Sequence, residues 1–121
     1  MMKGLHSVIF WTGDMARLLA FYRDTLGLKT DMETPEFVVL AAEQGGQFAI
    51  GKHSEVSGRP KDPYRIMANV TVDDIQAEYE RLKAKGVKFL REPSRDQADG
   101  IVLATFEDPD GNVLQMFELP A

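Results

Sequence analysis

The fold of this chain follows from SVIFWTGD at residues 7–14, which has a counterpart 60 residues later in MANVTVDD at residues 67–74. Both stretches are rich in β-branched or aromatic residues, and both end in an acidic residue where a helix pattern begins. This arrangement is typical of a strand that runs directly into a helix. It predicts two copies of one strand–helix module.

A helical pattern follows each of the two strands. Apolar side chains recur every three or four residues, the spacing that places them on one face of an α-helix. These side chains are Met15, Leu19, Tyr22 and Leu26 in the first copy and Ile75, Tyr79 and Leu82 in the second.

The residues at the ends of these helices support the same boundaries. Asp14 is the expected N-cap of the first helix, and Asp73 with Gln76 three residues on resembles a capping box at the start of the second. Gly27 and Gly86 suit the left-handed position that follows a helix. Each helix is therefore expected to end at its glycine.

Three short apolar runs follow each helix, so each half is predicted to fold as a βαβββ module. Two modules of about 60 residues are each too small to bury a sheet face alone, so we expect one α+β domain, residues 1–121, in which the sheets form an open eight-stranded cup. Module one is 1–52, the linker 53–63 and module two 64–121. The expected strands are 28–33, 36–42, 46–52, 87–92, 100–107 and 112–119.

Composition narrows the classes of function. The chain has 121 residues, no cysteine, and 14 basic against 19 acidic side chains, a net charge of −5. The charge disfavours a nucleic-acid partner, and the missing cysteines exclude disulfide scaffolds, thiolate zinc sites and cysteine nucleophiles. No apolar run approaches a signal-peptide core or a membrane span. We therefore expect a cytoplasmic protein that binds neither nucleic acid nor membranes.

The stretch Asp108-Pro109-Asp110-Gly111 is a strong turn signal. Proline presets the backbone of the second turn position, aspartate tolerates the third, and glycine supplies positive φ at the fourth. We interpret these aspartates as structural residues that join strands 100–107 and 112–119.

Two motifs give the chain a family resemblance. FYRDTLGL at residues 21–28 lies in the first module and EDPDGN at 107–112 in the second, and they resemble the glyoxalase/bleomycin-resistance/extradiol-dioxygenase family, the vicinal-oxygen-chelate superfamily. The resemblance covers essentially the whole chain and implies the two-module fold and a homodimer. Its members include metal-dependent lyases, isomerases and dioxygenases, fosfomycin-modifying enzymes and metal-free antibiotic-sequestering proteins, so fold alone does not select the function.

The resemblance also implies where a metal would be held, because family enzymes use His and Glu from the first and fourth strands of each module. Carried over onto this sequence, the positions are Ser7, Ile50, Met67 and Gln115. Divalent transition ions need several charged or strongly donating ligands, and this set has one hydroxyl and one amide. We therefore expect no metal or other cofactor.

The two histidines and one acid keep an alternative open. His6 adjoins Ser7, but strand alternation turns its side chain to the other face unless a bulge intervenes. Glu118 lies three residues after Gln115 and thus on the opposite face, and His53 in the linker is expected to be solvated. The alternative function is a metal-dependent lyase, isomerase or dioxygenase that uses His6, Gln115 and a further ligand.

The favoured hypothesis is a metal-free protein that sequesters a small amphipathic or aromatic molecule in the cup. Mostly apolar walls with a few polar anchors suit such a ligand, and Trp11 is a candidate stacking surface. A third hypothesis is a vestigial or interfacial cup in a chain that acts only as an assembly partner. The expected ligand-binding residues are Ser7, Ile9, Trp11, Phe48, Ile50, Met67, Asn69, Gln115 and Phe117.

Overall fold

Two four-stranded mixed sheets make up the computed structural model, which describes residues 1–41, 46–95 and 100–119. The chain divides into two units, Met1–Gly58 and Arg59–Ala121. Each unit holds one sheet. Of the predicted linker, residues 53–58 belong to the first unit and residues 59–63 to the second.

The first unit has the predicted βαβββ order. In its sheet the strands lie in the order β1-β4-β3-β2, with β1 and β4 parallel and the other pairs antiparallel. Residue 42, the last of the strand expected at 36–42, lies outside the described residues. The elements are β1 (Val8–Thr12), α1 (Met15–Leu19), a π-helical continuation (Ala20–Thr25), β2 (Lys29–Glu33), β3 (Phe37–Ala41) and β4 (Phe48–Lys52).

The second unit repeats this order. Its strands lie as β5-β8-β7-β6, again with one parallel pair, β5 with β8. Strand β6 extends three residues beyond the predicted end at residue 92. The elements are β5 (Ala68–Thr71), α2 (Ile75–Ala84), β6 (Phe89–Arg95), β7 (Val102–Glu107) and β8 (Val113–Glu118).

In each unit one side of the sheet packs on the helix, and we call this side the helix face. In the first unit the ring of Tyr22 lies against Phe10 and Phe48, with centroid distances of 6.0 and 5.5 Å. In the second, Phe89 lies 4.7 Å from Tyr79 and 5.6 Å from Phe106. The helix-face residues Val38, Leu40, Ile50, Ala104, Leu114 and Met116 are buried beside these rings.

The helix termini confirm part of the sequence analysis and correct the rest. Asp14 caps α1 by accepting a hydrogen bond from the Arg17 amide, and Gly27 and Gly86 have the expected positive φ of 82° and 88°. The cap of α2 is Asp74 rather than Asp73, because the Asp74 carboxylate accepts from the Ala77 amide.

The first helix does not stay α-helical through residue 26 as its spacing predicts. After Leu19 the chain continues as a π-helix, in which the Leu26 amide bonds to the Phe21 carbonyl five residues earlier. Phe21 and the adjacent Tyr22 are both buried in this wider turn.

An ion pair fixes the start of the second unit to its β7–β8 turn. The Arg59 guanidinium donates to Glu107 at 2.8 Å, and Lys88 lies 3.6 Å from the same carboxylate. A Cβ added at Gly111 would come within 2.7 Å of Arg59 Cζ. Glycine at this position therefore leaves the room that the guanidinium occupies.

This ion pair predicts a dependence of stability on pH. The hydrogen bond from Arg59 holds the pKa of Glu107 below its usual range, and the charges of Arg59 and Lys88 lower it further. A carboxylate with a depressed pKa in the folded state stabilises the fold above its unfolded pKa, and this contribution is lost as the pH falls through the folded pKa. In Arg59→Met we expect the free energy of unfolding to fall less steeply than in the native protein as the pH is lowered.

Urea unfolding between neutral and acidic pH measures this effect. Arg65→Met is the matched control, because Arg65 pairs with Asp62 at 3.0 Å and both side chains are exposed. An identical pH profile for the two variants would contradict the assignment to Glu107.

Candidate functional site

The side of the first sheet that faces away from the helix is the first candidate surface. Strand alternation places Ile9 and Trp11 of β1 there, and register adds Ala49, Gly51 and the alternate β3 residues. Ile9 and Trp11 are 37% and 41% exposed. We call this surface the open face of the first sheet; its residues are Ile9, Trp11, Phe37, Val39, Ala49 and Gly51.

The expected placement of Phe48 and Ile50 beside Ile9 and Trp11 is wrong. Phe10 pairs with Ile50, and Val8 with Phe48, so both side chains lie on the helix face. The Phe48 ring packs on Phe10 at 5.7 Å, and Ile50 is fully buried.

The error is a slip of one residue in the equivalence between the two modules, which matched Ile50 to Gln115. In the first sheet Ile9 pairs with Ala49, and in the second sheet Asn69, the counterpart of Ile9, pairs with Gln115. Ala49 is therefore the first-module equivalent of Gln115. A slip of one residue moves a side chain to the other face of a strand.

Three rings form an aromatic cluster on the open face of the first sheet: Trp11, Phe37 and His53. Their centroids lie 6.1 Å apart for Trp11 and Phe37 and 5.4 Å apart for Trp11 and His53. The cluster rests on Gly51, where an added Cβ would come within 2.6 Å of Trp11 Cζ3 and 2.9 Å of Phe37 Cδ1.

His53 is half-buried in this cluster, whereas the sequence predicts a solvated linker residue. Its amide donates to the Thr12 carbonyl at 3.1 Å, and its carbonyl accepts from the Val56 amide at 3.2 Å. The ring nitrogen Nδ1 accepts from the Glu55 amide at 3.1 Å. The neutral ring then carries its proton on Nε2. These contacts are long-range or depend on loop conformation, so no local sequence pattern predicts them.

The contact between Gly51 and the aromatic cluster predicts a substitution effect. We expect Gly51→Ala to lower the free energy of unfolding by about 1–3 kcal/mol, because the new methyl group overpacks against two rings. The intrinsic fluorescence of Trp11, the one tryptophan, should change as its ring is displaced. Gly46→Ala is the control, since nothing lies within 4 Å of a Cβ there. Equal stability of both variants would mean that the ring contact is not tight.

The corresponding side of the second sheet carries a row of polar side chains, and we call it the open face of the second sheet. Gln115 of β8 pairs with Asn69 on one side and with Thr105 on the other, so three polar side chains form a row across three strands. Thr71 and Phe117 form the next pair on this face. Three expected site residues, Asn69, Gln115 and Phe117, therefore share one face of this sheet.

The remaining expected site residues lie just outside the strands. Ser7 directly precedes β1 and Met67 directly precedes β5. Ser7 is hydrogen-bonded to His6, with 3.1 Å between Oγ and Nδ1. The Glu118 carboxylate accepts from the Ile75 amide at 3.2 Å and so caps α2.

The side chains at the four positions that the family resemblance assigns to metal ligands do not suit a divalent transition ion. With the corrected register they are the Ser7 hydroxyl, the Ala49 methyl group, the Met67 thioether and the Gln115 amide. Such ions favour imidazole, carboxylate or thiolate ligands. Within residues 1–41, 46–95 and 100–119, no three His, Cys, Asp or Glu side chains are grouped closely enough to hold a metal.

The chain matches a known protein family over most of its length. The model of the Glyoxalase/Bleomycin resistance protein/Dioxygenase superfamily matches residues 4–116. The chain belongs to this superfamily. The family resemblance found in the motifs at residues 21–28 and 107–112 is thereby confirmed.

Relatives of this chain carry different names. A lactoylglutathione lyase of Haemophilus influenzae is 32% identical, and the match covers 97% of this chain and 93% of that protein. The Bacillus subtilis protein YurT is 31% identical, and the match covers 93% of this chain and 94% of that protein. The chain spans 34% of the length of a probable chloroplastic lactoylglutathione lyase of Arabidopsis thaliana, with 30% identity.

Solved structures share the fold of this chain. A protein of unknown function from Agrobacterium tumefaciens is 26% identical with a TM-score of 0.78, over 99% of this chain and 97% of that one. A glyoxalase/bleomycin resistance protein/dioxygenase from Nocardioides is 20% identical with a TM-score of 0.76, and the match covers 98% of this chain and 85% of that one. Among the described residues, no helix of this superfamily member is long and apolar enough to span a membrane.

Proposed function

We propose that this chain is a metal-independent small-molecule-binding protein of the superfamily, with an amphipathic or aromatic ligand. The observation that carries the proposal is the donor set Ser7, Ala49, Met67 and Gln115 at the positions where family enzymes hold a metal. None of the four is a charged or imidazole ligand.

Each open face, taken by itself, offers contacts of a kind that such a ligand uses. Trp11 and Phe37 offer aromatic surface on the first sheet. Asn69 and Gln115 offer amide donors and acceptors on the second. Mostly apolar surface with a few polar anchors characterises small-molecule sites.

Elemental analysis of the purified protein tests the metal-independent assignment. We expect far less than one transition ion per chain, because the side chains at these positions are poor metal ligands. For the same reason, addition of Mn²⁺, Fe²⁺, Ni²⁺ or Zn²⁺ should produce no enzymatic activity. His6→Ala serves as the companion variant. One ion per chain in the native protein, lost in His6→Ala, would overturn the proposal and establish a histidine-held metal.

The second candidate is a metal-dependent lyase, isomerase or dioxygenase. The 32% identity to the Haemophilus lactoylglutathione lyase favours it. An assay for lactoylglutathione formation with each added ion separates the candidates, and we expect no rate above that of the protein-free reaction.

Binding itself is tested by thermal shift with a library of planar and amphipathic compounds, since a bound ligand raises the melting temperature by mass action. We expect Gln115→Ala to weaken a hit by about 1–3 kcal/mol where a polar group of the ligand loses its partner. Gln76→Ala is the matched control, because Gln76 is exposed on α2 and bonds to Glu80 at 3.0 Å. If the hits bind the Gln115→Ala variant as tightly as the native protein, Gln115 is not part of the site.

We further propose a homodimer, as the family resemblance implies. The edge strand β1 exposes the apolar side chains Val8 and Ile9, at 44% and 37%. Such an edge is usually covered by another chain or element. Sedimentation equilibrium at micromolar concentration should give twice 13.6 kDa, and a single 13.6 kDa species would contradict the dimer.

A further inference from the structure

The aromatic cluster Trp11, Phe37 and His53 combines an exposed ring with an unused hydrogen-bond donor. Trp11 is 41% exposed although its six-membered ring is in contact with Gly51 on one side. Exposed tryptophan on a rigid strand is a good stacking surface, because little rotamer entropy is lost on binding.

The donor is the Nε2–H group of His53. Because Nδ1 accepts from the Glu55 amide, the neutral ring presents its proton at Nε2, and no group in the described part of the chain accepts it. The His53 ring stands at 76° to the indole, with its centroid 5.4 Å from that of Trp11. The imidazole ring thus lies beside the indole.

The main chain around His53 holds this arrangement in place. His53 is bonded through its amide to Thr12 and through its carbonyl to Val56. A Cβ at Gly13 would come within 2.5 Å of the Val56 carbonyl oxygen, so only glycine allows this close approach. Pre-organisation of this kind lowers the entropic cost of binding.

The charges that flank the cluster in the sequence are of both signs and therefore select neither an anionic nor a cationic ligand. Lys52 directly precedes His53, Glu55 follows it by two residues and Glu36 directly precedes Phe37; all three are exposed. An uncharged ring with a hydrogen-bond acceptor at its edge satisfies the donor without a countercharge.

We propose that Trp11, Phe37 and His53 form a subsite for an uncharged planar heteroaromatic ring, which stacks on Trp11 and accepts a hydrogen bond from His53 Nε2. This subsite rests on the proposed binding function and defines the class of ligand. His53 is its specificity-determining residue.

Isoquinoline and naphthalene are the probes, because they match in shape and differ by one acceptor nitrogen. Titration near neutral pH, followed by ligand-observed NMR, should show isoquinoline binding about tenfold more tightly, the effect of one hydrogen bond of ~1.4 kcal/mol. We expect His53→Leu to abolish this preference and Trp11→Leu to weaken both probes. His6→Leu, which changes the other histidine, should alter neither affinity.

Equal affinity of the two probes for the native protein would overturn the subsite, as would equal weakening of both by His53→Leu. His53→Gln retains a side-chain donor and should recover part of the preference, which separates recognition from a structural role. The titrations are run with a chelator present. If neither probe binds, but the protein is metal-free and binds other ligands through Gln115, only the subsite is overturned. If elemental analysis finds one metal ion per chain, the proposed function is overturned.

Discussion

Phe106→Ala is expected to lower the free energy of unfolding by about 3–5 kcal/mol, the largest effect of a single substitution that we predict. Phe106 is fully buried on the helix face of the second sheet and packs against Phe89 at 5.6 Å. Truncation removes the transfer free energy of the ring and leaves a cavity that the neighbouring strands close only in part.

Urea denaturation followed by circular dichroism measures this loss. Phe117→Ala is the matched control, because Phe117 is the same residue type on the open face of the same sheet and is only half-buried. It should lose markedly less stability. Equal losses for the two variants would mean that both faces of this sheet contribute equally to the core in solution.

Asp108→Ala is expected to lower the free energy of unfolding by about 2–3 kcal/mol. Its carboxylate accepts three hydrogen bonds, from the amides of Asp110 and Asn112 at 2.9 Å each and from Asn112 Nδ2 at 2.8 Å. The side chain is buried, so its removal leaves these donors without a partner inside the turn.

Asp108→Asn separates the hydrogen bonds from the volume of the side chain, since its amide oxygen still accepts from the two backbone amides. We expect it to retain more stability than Asp108→Ala. Both variants should bind ligand as the native protein does, because the turn is structural. A loss of ligand affinity at unchanged stability would instead give Asp108 a functional role.

Much of the fold was predictable because its signals are local. The capping aspartate Asp14, the positive-φ positions Gly27 and Gly86 and the alternation of Ile9 and Trp11 each depend on a few neighbouring residues. The second cap was missed because Asp73 and Asp74 are both good caps, and only the position of the helix relative to its sheet distinguishes them.

The sheet faces on which the candidate residues lie were predicted in part. Asn69, Gln115 and Phe117 were assigned to one face of their sheet, and strand pairing places them there. Phe48 and Ile50 were assigned to the wrong face, since register depends on which strand lies alongside and not on the strand's own sequence.

The sequence by itself determined the two βαβββ modules, the family and the absence of strong metal donors at the expected positions, because periodicity, turn residues and motif chemistry are properties of short segments. The tertiary structure alone decided that Ala49 is the partner of Ile9 and that His53 packs beside Trp11. These contacts join residues far apart in the chain. They arise from parallel strand pairing and from the close approach of Val56 to Gly13, which no local pattern encodes.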